Sequence, residues 1–187
     1  MKRSPLLIGL LVVGVLLIGW LWTGYNSLVT ARGAVEGDWA QVETQYQRRF
    51  DLVPNLVSTV RGAANLEQDT LTQVTAARTQ WQQADNRSEQ IAAAEGFESA
   101  LARLLVTVEA YPQLQATQAF RDLMTQLEGT ENRIATARRD YNQTVQHFNV
   151  MVRRFPRNIL AGLFGFDPEA FFDAAEGSET APEVNFE

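Results

Sequence analysis

The 187-residue chain contains no cysteine and a single histidine, His147. The first absence excludes disulfides, thiolate metal sites, a cysteine nucleophile and lipoprotein acylation. The second leaves too few ligands for a zinc site. A di-iron bundle needs Glu-x-x-His on paired helices, and Thr144 stands at that spacing before His147. There is no glycine-rich phosphate loop, nucleophile elbow or histidine-based triad. His147 reads as an ordinary helix-surface residue, and Glu95 with Glu98 as part of a solvated helix face. The expectation is a protein that is not an enzyme and carries no metal or cofactor.

Charge of one sign is also scarce where a polyanion would need it. The chain holds 16 basic and 22 acidic residues, and seven of the acids follow Phe166 with no base among them, which leaves 16 against 15 before that point. No clustered basic face is available for nucleic acid. Strand signals are missing too, because no stretch alternates apolar and polar residues.

One long apolar run is present. Leu6–Trp22 reads LLIGLLVVGVLLIGWLW without a charge. As a helix those residues cover about 26 Å, and Pro5 to Tyr25 reaches about 30 Å, the thickness of a bilayer's hydrocarbon core. Trp20, Trp22 and Tyr25 sit at one end, where aromatic rings favour the membrane interface. The run exceeds a signal-peptide core and no small-x-small cleavage site follows closely, so it is expected to stay as a single-span membrane anchor. Lys2 and Arg3 precede it and only Arg32 follows closely, which by positive-inside counting places the N-terminus in the cytoplasm and the bulk outside it.

Beyond Tyr25 the apolar residues recur at helical steps. The first stripe is Leu28, Val35, Trp39, Val42, Tyr46, Phe50 and Val53, ending at Pro54, a residue that suits a helix start. The second runs from Val57 through Val60, Ala64, Leu71 and Val74 to Trp81 and stops in a polar loop, Gln82–Gln90. The third runs from Ala94 through Phe97, Leu101, Leu104 and Val108 to Tyr111, closed by Pro112. The fourth is a coiled-coil-like seam from Phe120 to Phe155. The predicted fold is all-α: an N-terminal transmembrane helix followed by an elongated antiparallel four-helix bundle. Its expected organisation is an anchor over 1–24, a bundle over 25–157 and an apolar-then-acidic C-terminal segment over 158–187.

Four charged residues fall where these stripes expect apolar ones: Glu67 and Arg78 in the second, Glu131 and Arg138 in the fourth. A carboxylate facing a guanidinium there would form a structural polar layer fixing helix register; the alternative is a polar cavity for a ligand or proton. Glycines at 33, 37, 62, 96 and 129 interrupt the helices, and close helix crossing is the simplest reason. Gly33 and Gly37 could instead seat a neighbouring subunit. The C-terminal segment is dense in phenylalanine, with Phe164, Phe166, Phe171 and Phe172. Three placements are open for it: folded back on the bundle, docked on a second copy, or laid in the bilayer interface. Its flanking acids Asp167, Glu169 and Asp173 disfavour anionic lipid.

Several motifs resemble the LemA family. Tyr25-Asn26-x-Leu28-Val29 follows the membrane helix, and Arg48-Arg49-x-Asp51-Leu52-Val53-Pro54-Asn55-Leu56-Val57 is the most specific match. Glu109-Ala110-Tyr111-Pro112, Thr130-Glu131-Asn132-x-Ile134, Ala137-Arg138, Tyr141-Asn142, Phe155-Pro156, Gly165-Phe166 and Pro182-Glu183-Val184-x-Phe186 follow in order. Where the family often has Tyr and His-Glu, this chain has Ala63 and Leu66-Glu67, so no metal site tied to that histidine is carried over. The resemblance implies a bacterial single-span protein with a long four-helix domain and no established enzymatic function, and with it the expected location becomes the bacterial inner membrane with the bulk in the periplasm. It also implies relatives among magnetosome membrane proteins. Together these readings favour a scaffold that binds the bilayer through one helix, self-associates as a homo-oligomer and organises or remodels membrane. The alternatives are an extracytoplasmic sensory or ligand-binding module, or an adaptor for other membrane proteins.

Overall fold

A computed structural model of the chain describes residues 5–63 and 68–172. Among them the regular elements are all helices: α1 (Pro5–Ala63), α2 (Gln68–Gln83), α3 (Arg87–Val108), α4 (Pro112–Gln115), α5 (Gln118–Arg153) and α6 (Arg157–Phe164). The long four run up, down, up and down. Phe50 of α1 meets Trp81 of α2 and Phe97 of α3. The α1–α5 register follows from Thr144 donating to Asp38 at 2.6 Å and Arg49 meeting Glu131. The fold is the expected all-α antiparallel bundle.

Helix α1 departs most from the stripe-by-stripe reading. It is continuous over 59 residues, about 88 Å, and carries the apolar run and the first bundle helix as one rod. Pro54 lies inside it instead of starting a new helix. A proline there forfeits the bond to the Phe50 carbonyl, but Phe50, Val53, Leu56 and Val60 are all buried at helical steps on both sides of it. Packing of that face outweighs a local cost of roughly 3 kcal/mol. The second stripe is therefore split: Val57 and Val60 belong to α1, Leu71 to Trp81 to α2.

The loop expected over Gln82–Gln90 shrinks to residues 84–86. Asn86 caps α3, its Oδ1 accepting from the Glu89 amide at 3.0 Å while Glu89 accepts from the Asp85 amide at 3.0 Å. This reciprocal capping draws the polar residues into the first turn. At the far end Thr117 starts α5 by accepting from the Phe120 amide at 3.3 Å.

Four of the five glycines expected at helix crossings are not crossing points. A methyl group added at Gly33, Gly37, Gly96 or Gly129 would meet nothing within 4 Å, because these glycines face away from the packed interior. Gly62 lies where no side-chain environment is described. The glycine that does admit a close neighbour is Gly24, where an added Cβ would come within 2.5 Å of Leu160 Cδ1.

The α2–α3 turn reaches down only to the level of Trp39, over whose ring the Arg87 guanidinium lies at 5.3 Å. Above that level four helices surround the core. Below it, from about Leu28 to Trp39, α1 and α5 form a two-helix stem. The described part of the C-terminal segment, residues 158–172, packs against the bundle and completes that stem. Leu160, Ala161, Phe166 and Phe172 are all buried in the common core.

Candidate functional site

Two built features stand out on this frame, one at the bundle's centre and one along the stem. At the centre, Arg49 projects inward from α1 with only 7% of its side chain exposed. Its Nη1 donates to Glu98 of α3 at 2.9 Å and to Glu131 of α5, so one guanidinium joins three helices. Burial pushes the Glu98 carboxyl above its usual value; the neighbouring Arg49 opposes this, and the Glu131 charge adds to it. Tyr46, one turn before Arg49, is fully buried, and burial raises its phenol well beyond the ordinary range. One buried cation thus holds carboxylates from two other helices, beside a buried phenol, an arrangement suited to clamping helices.

Along the stem, residues 166–172 form an extended strap running up the groove after α6. Gly165, at φ 70°, closes α6 in the left-handed conformation, and the Phe166 amide returns to the Ala161 carbonyl at 2.9 Å. Two asparagines of α5 then hold the strap through its backbone. Asn149 donates to the Glu169 carbonyl and accepts from the Glu169 amide, both at 2.8 Å. Asn142 donates to the Phe172 carbonyl at 2.8 Å and accepts from its amide at 2.9 Å. Each carboxamide supplies the donor and acceptor that an adjacent strand would offer. The spacing fits: seven helical residues rise about 10.5 Å, and three extended residues span about 10 Å.

Further contacts fix the strap's side chains. The Tyr141 hydroxyl donates to the Ala170 carbonyl at 2.8 Å, and burial lifts that phenol to about 12. Arg87 at the start of α3 pairs with Glu169 at 2.7 Å. Phe172 enters an aromatic cluster with Trp39, Tyr46 and Tyr141.

The sequence-predicted residues scatter across these features. Glu131 belongs to the central clamp, half exposed, with Arg49 as its partner. Arg138 lies over the Phe172 ring at 4.5 Å, and Arg78 is partly buried with its Nε shielded from solvent. Glu67 falls outside the described residues. Among the tail aromatics, Phe166 and Phe172 are spent on the chain's own core, whereas Phe164 and Phe171 remain exposed. Gly33 and Gly37 lie open on α1. Trp20 packs partly against the core, Trp22 is fully outward, and Tyr25 stands edge-on to Phe164 at 4.9 Å.

Sequence reasoning missed Arg49, Asn142 and Asn149, and it misplaced Glu98 on a solvated face. Arg49 carried a signal, since it falls in the most specific motif three residues after Tyr46 and four before Val53, on the apolar face of the helix. The asparagines act on a segment distant in sequence, and no local pattern announces that.

Comparison with known proteins adds a family match and three relatives. The LemA family description matches residues 38–186. "Magnetosome protein MamQ 2" of Paramagnetospirillum magneticum is 29% identical, covering 91% of this chain and 74% of that protein. "Magnetosome protein MamQ" of Magnetospirillum gryphiswaldense is 26% identical over 96% of this chain and 77% of its own length. "Protein LemA" of Metamycoplasma hominis is 22% identical over 81% and 69% respectively. None of these names denotes an enzyme.

Proposed function

This chain belongs to the LemA family, and on that premise we propose that it is a non-enzymatic, membrane-anchored helical scaffold that self-associates to organise the bilayer around it. The observation that carries the reading is the continuity of α1. One helix is long and apolar enough to cross a membrane, and the same helix forms a side of the bundle without a break. A rigid rod joined to its anchor in this way transmits the packing of neighbouring rods to the lipid, because no hinge absorbs it. The magnetosome names of two relatives agree with such work.

The exposed Gly33–Gly37 face of α1 is the proposed contact between copies, since none of the described residues covers it and small residues admit close backbone approach. Phe171, exposed on the strap, is the second. The bulk faces the periplasm, with Lys2 and Arg3 left inside. A single Ala84→Cys in the α2–α3 turn tests that orientation by labelling of intact cells from outside.

The decisive experiment is the mass of the full-length chain in mild detergent across a range of concentrations. The expected result is a discrete oligomer that dissociates in Gly33→Leu/Gly37→Leu with helicity unchanged. A monomer at every concentration overturns self-association.

A further inference from the structure

Helix α6 has an apolar face that the bundle does not use. Leu160 and Ala161 are buried against the stem, whereas Ile159 is 57% and Leu163 71% exposed, with Phe164 and the preceding Phe155 also open. The place of this helix along the rod gives the face its meaning. Leu160 seats against Gly24, and Phe164 against Tyr25. Counting about 20 helical residues for a hydrocarbon core of about 30 Å from Pro5 brings the bilayer boundary to Gly24. Helix α6 therefore lies at the depth of the boundary, beside the interfacial aromatics Trp20, Trp22 and Tyr25.

Charge is layered to match. Arg153 and Arg154 end α5 and Arg157 begins α6; all three are exposed, and none forms an ion pair with a described residue. Antiparallel pairing places Arg153 near the level of Leu28, about 6 Å beyond Gly24, which is headgroup depth. Of the acids after α6, Glu169 is turned upward into its pair with Arg87. Three exposed basic residues thus lie at headgroup depth against one exposed strap acid, Asp167, while Glu169 is neutralised away from them.

We propose that α6 is a second membrane contact, an interfacial foot. Ile159, Leu163, Phe164 and Phe155 enter the boundary between acyl chains and headgroups, and Arg153, Arg154 and Arg157 engage lipid phosphates. The occupant is lipid because the face is continuous with the lipid-facing surface of α1 and sits at its depth with the appropriate charge. Amphipathic helices lie in this zone by burying one apolar side under a basic rim. A foot on one side of the span gives the rod two points of attachment, and so a defined lean. This inference rests on the membrane-anchored reading above.

The absence of cysteine permits a direct test. Full-length Leu163→Cys, Val13→Cys and Val106→Cys are each labelled with an environment-sensitive fluorophore. They are then placed in nanodiscs of mixed phosphatidylcholine and phosphatidylglycerol, one chain per disc, with quenchers carried on lipid at shallow or deep positions. Val106 is as exposed as Leu163 but stands about 50 Å further along the rod. The expected result is a blue-shifted Leu163 label quenched strongly by the shallow quencher and weakly by the deep one. The Val13 label should show the reverse order, and the Val106 label neither shift nor quenching. A quenched Val13 label with an aqueous Leu163 label overturns the foot and leaves the anchor standing. An unquenched Val13 label overturns both. A Leu163 label shielded only when several chains share a disc, and not quenched from lipid, assigns the face to a second copy and overturns the foot.

Discussion

Above Trp39 the molecule is a four-helix bundle filled by side chains; below it, two helices and an extended strap enclose the core. In the upper region apolar contacts are spread over four surfaces. Phe50 alone meets Tyr46, Trp81 and Phe97. In the stem the third wall is a strap, whose backbone has no strand partner and depends on Asn142, Asn149 and Tyr141. Distributed apolar packing degrades gradually when altered. A strap held by a few polar groups releases as a unit, since an unpaired backbone group near the core is costly.

The largest expected effect breaks the upper region. Phe50→Ala removes a fully buried ring at the meeting of three helices and should destabilise the bundle by about 3–5 kcal/mol, read as a drop in the denaturant midpoint. Arg49→Ala comes next. It strands Glu98 partly buried and loosens three helices at once, at a cost of about 2–3 kcal/mol. That lies below the figure for a fully buried pair because Glu131 is half in solvent. Arg49→Met, which restores volume without charge, should recover part of the loss.

The stem should answer differently. Asn149→Ala leaves the Glu169 amide and carbonyl without partners, at about 1–3 kcal/mol. The signature is local: hydrogen exchange accelerates across 166–172 while the amides of α2 and α3 keep their protection. If the whole bundle loosens together, strap and upper core are one cooperative unit and the contrast fails. Gly165→Ala is milder, about 1 kcal/mol, because only the left-handed turn out of α6 is strained.

The same division governs how much the chain discloses in advance. The helical stripes and the apolar run announced the all-α fold, since one-dimensional periodicity reports which face of a helix is buried. They erred at Pro54 because a proline is a local cost, whereas helix continuation is decided by packing on both sides of it. The strap was not legible. Phe166 and Phe172 look alike with Phe164 and Phe171 in composition, and only the three-dimensional path buries one pair and exposes the other. Glu98 was hidden for the same reason: its position on α3 says little until Arg49 arrives from a helix 49 residues away.

The smallest effect sharpens what the central clamp does. In the folded chain burial raises the Glu98 carboxyl above 4.5, despite the opposing Arg49 charge. A carboxyl with a raised folded value binds its proton more tightly folded than unfolded. Its contribution to stability is therefore complete below the ordinary value and is lost as pH climbs through the raised one. Glu98→Gln keeps an acceptor for Arg49 and removes the titration. As pH rises from about 4 the midpoint of thermal unfolding should fall less in this variant than in the parent, the two profiles converging at the acid end. Asn149→Ala, which leaves the clamp intact, should reproduce the parent's slope at lower stability. Parallel profiles for parent and Glu98→Gln would mean that Arg49 fully compensates the burial, and the clamp would then be electrostatically silent over this range.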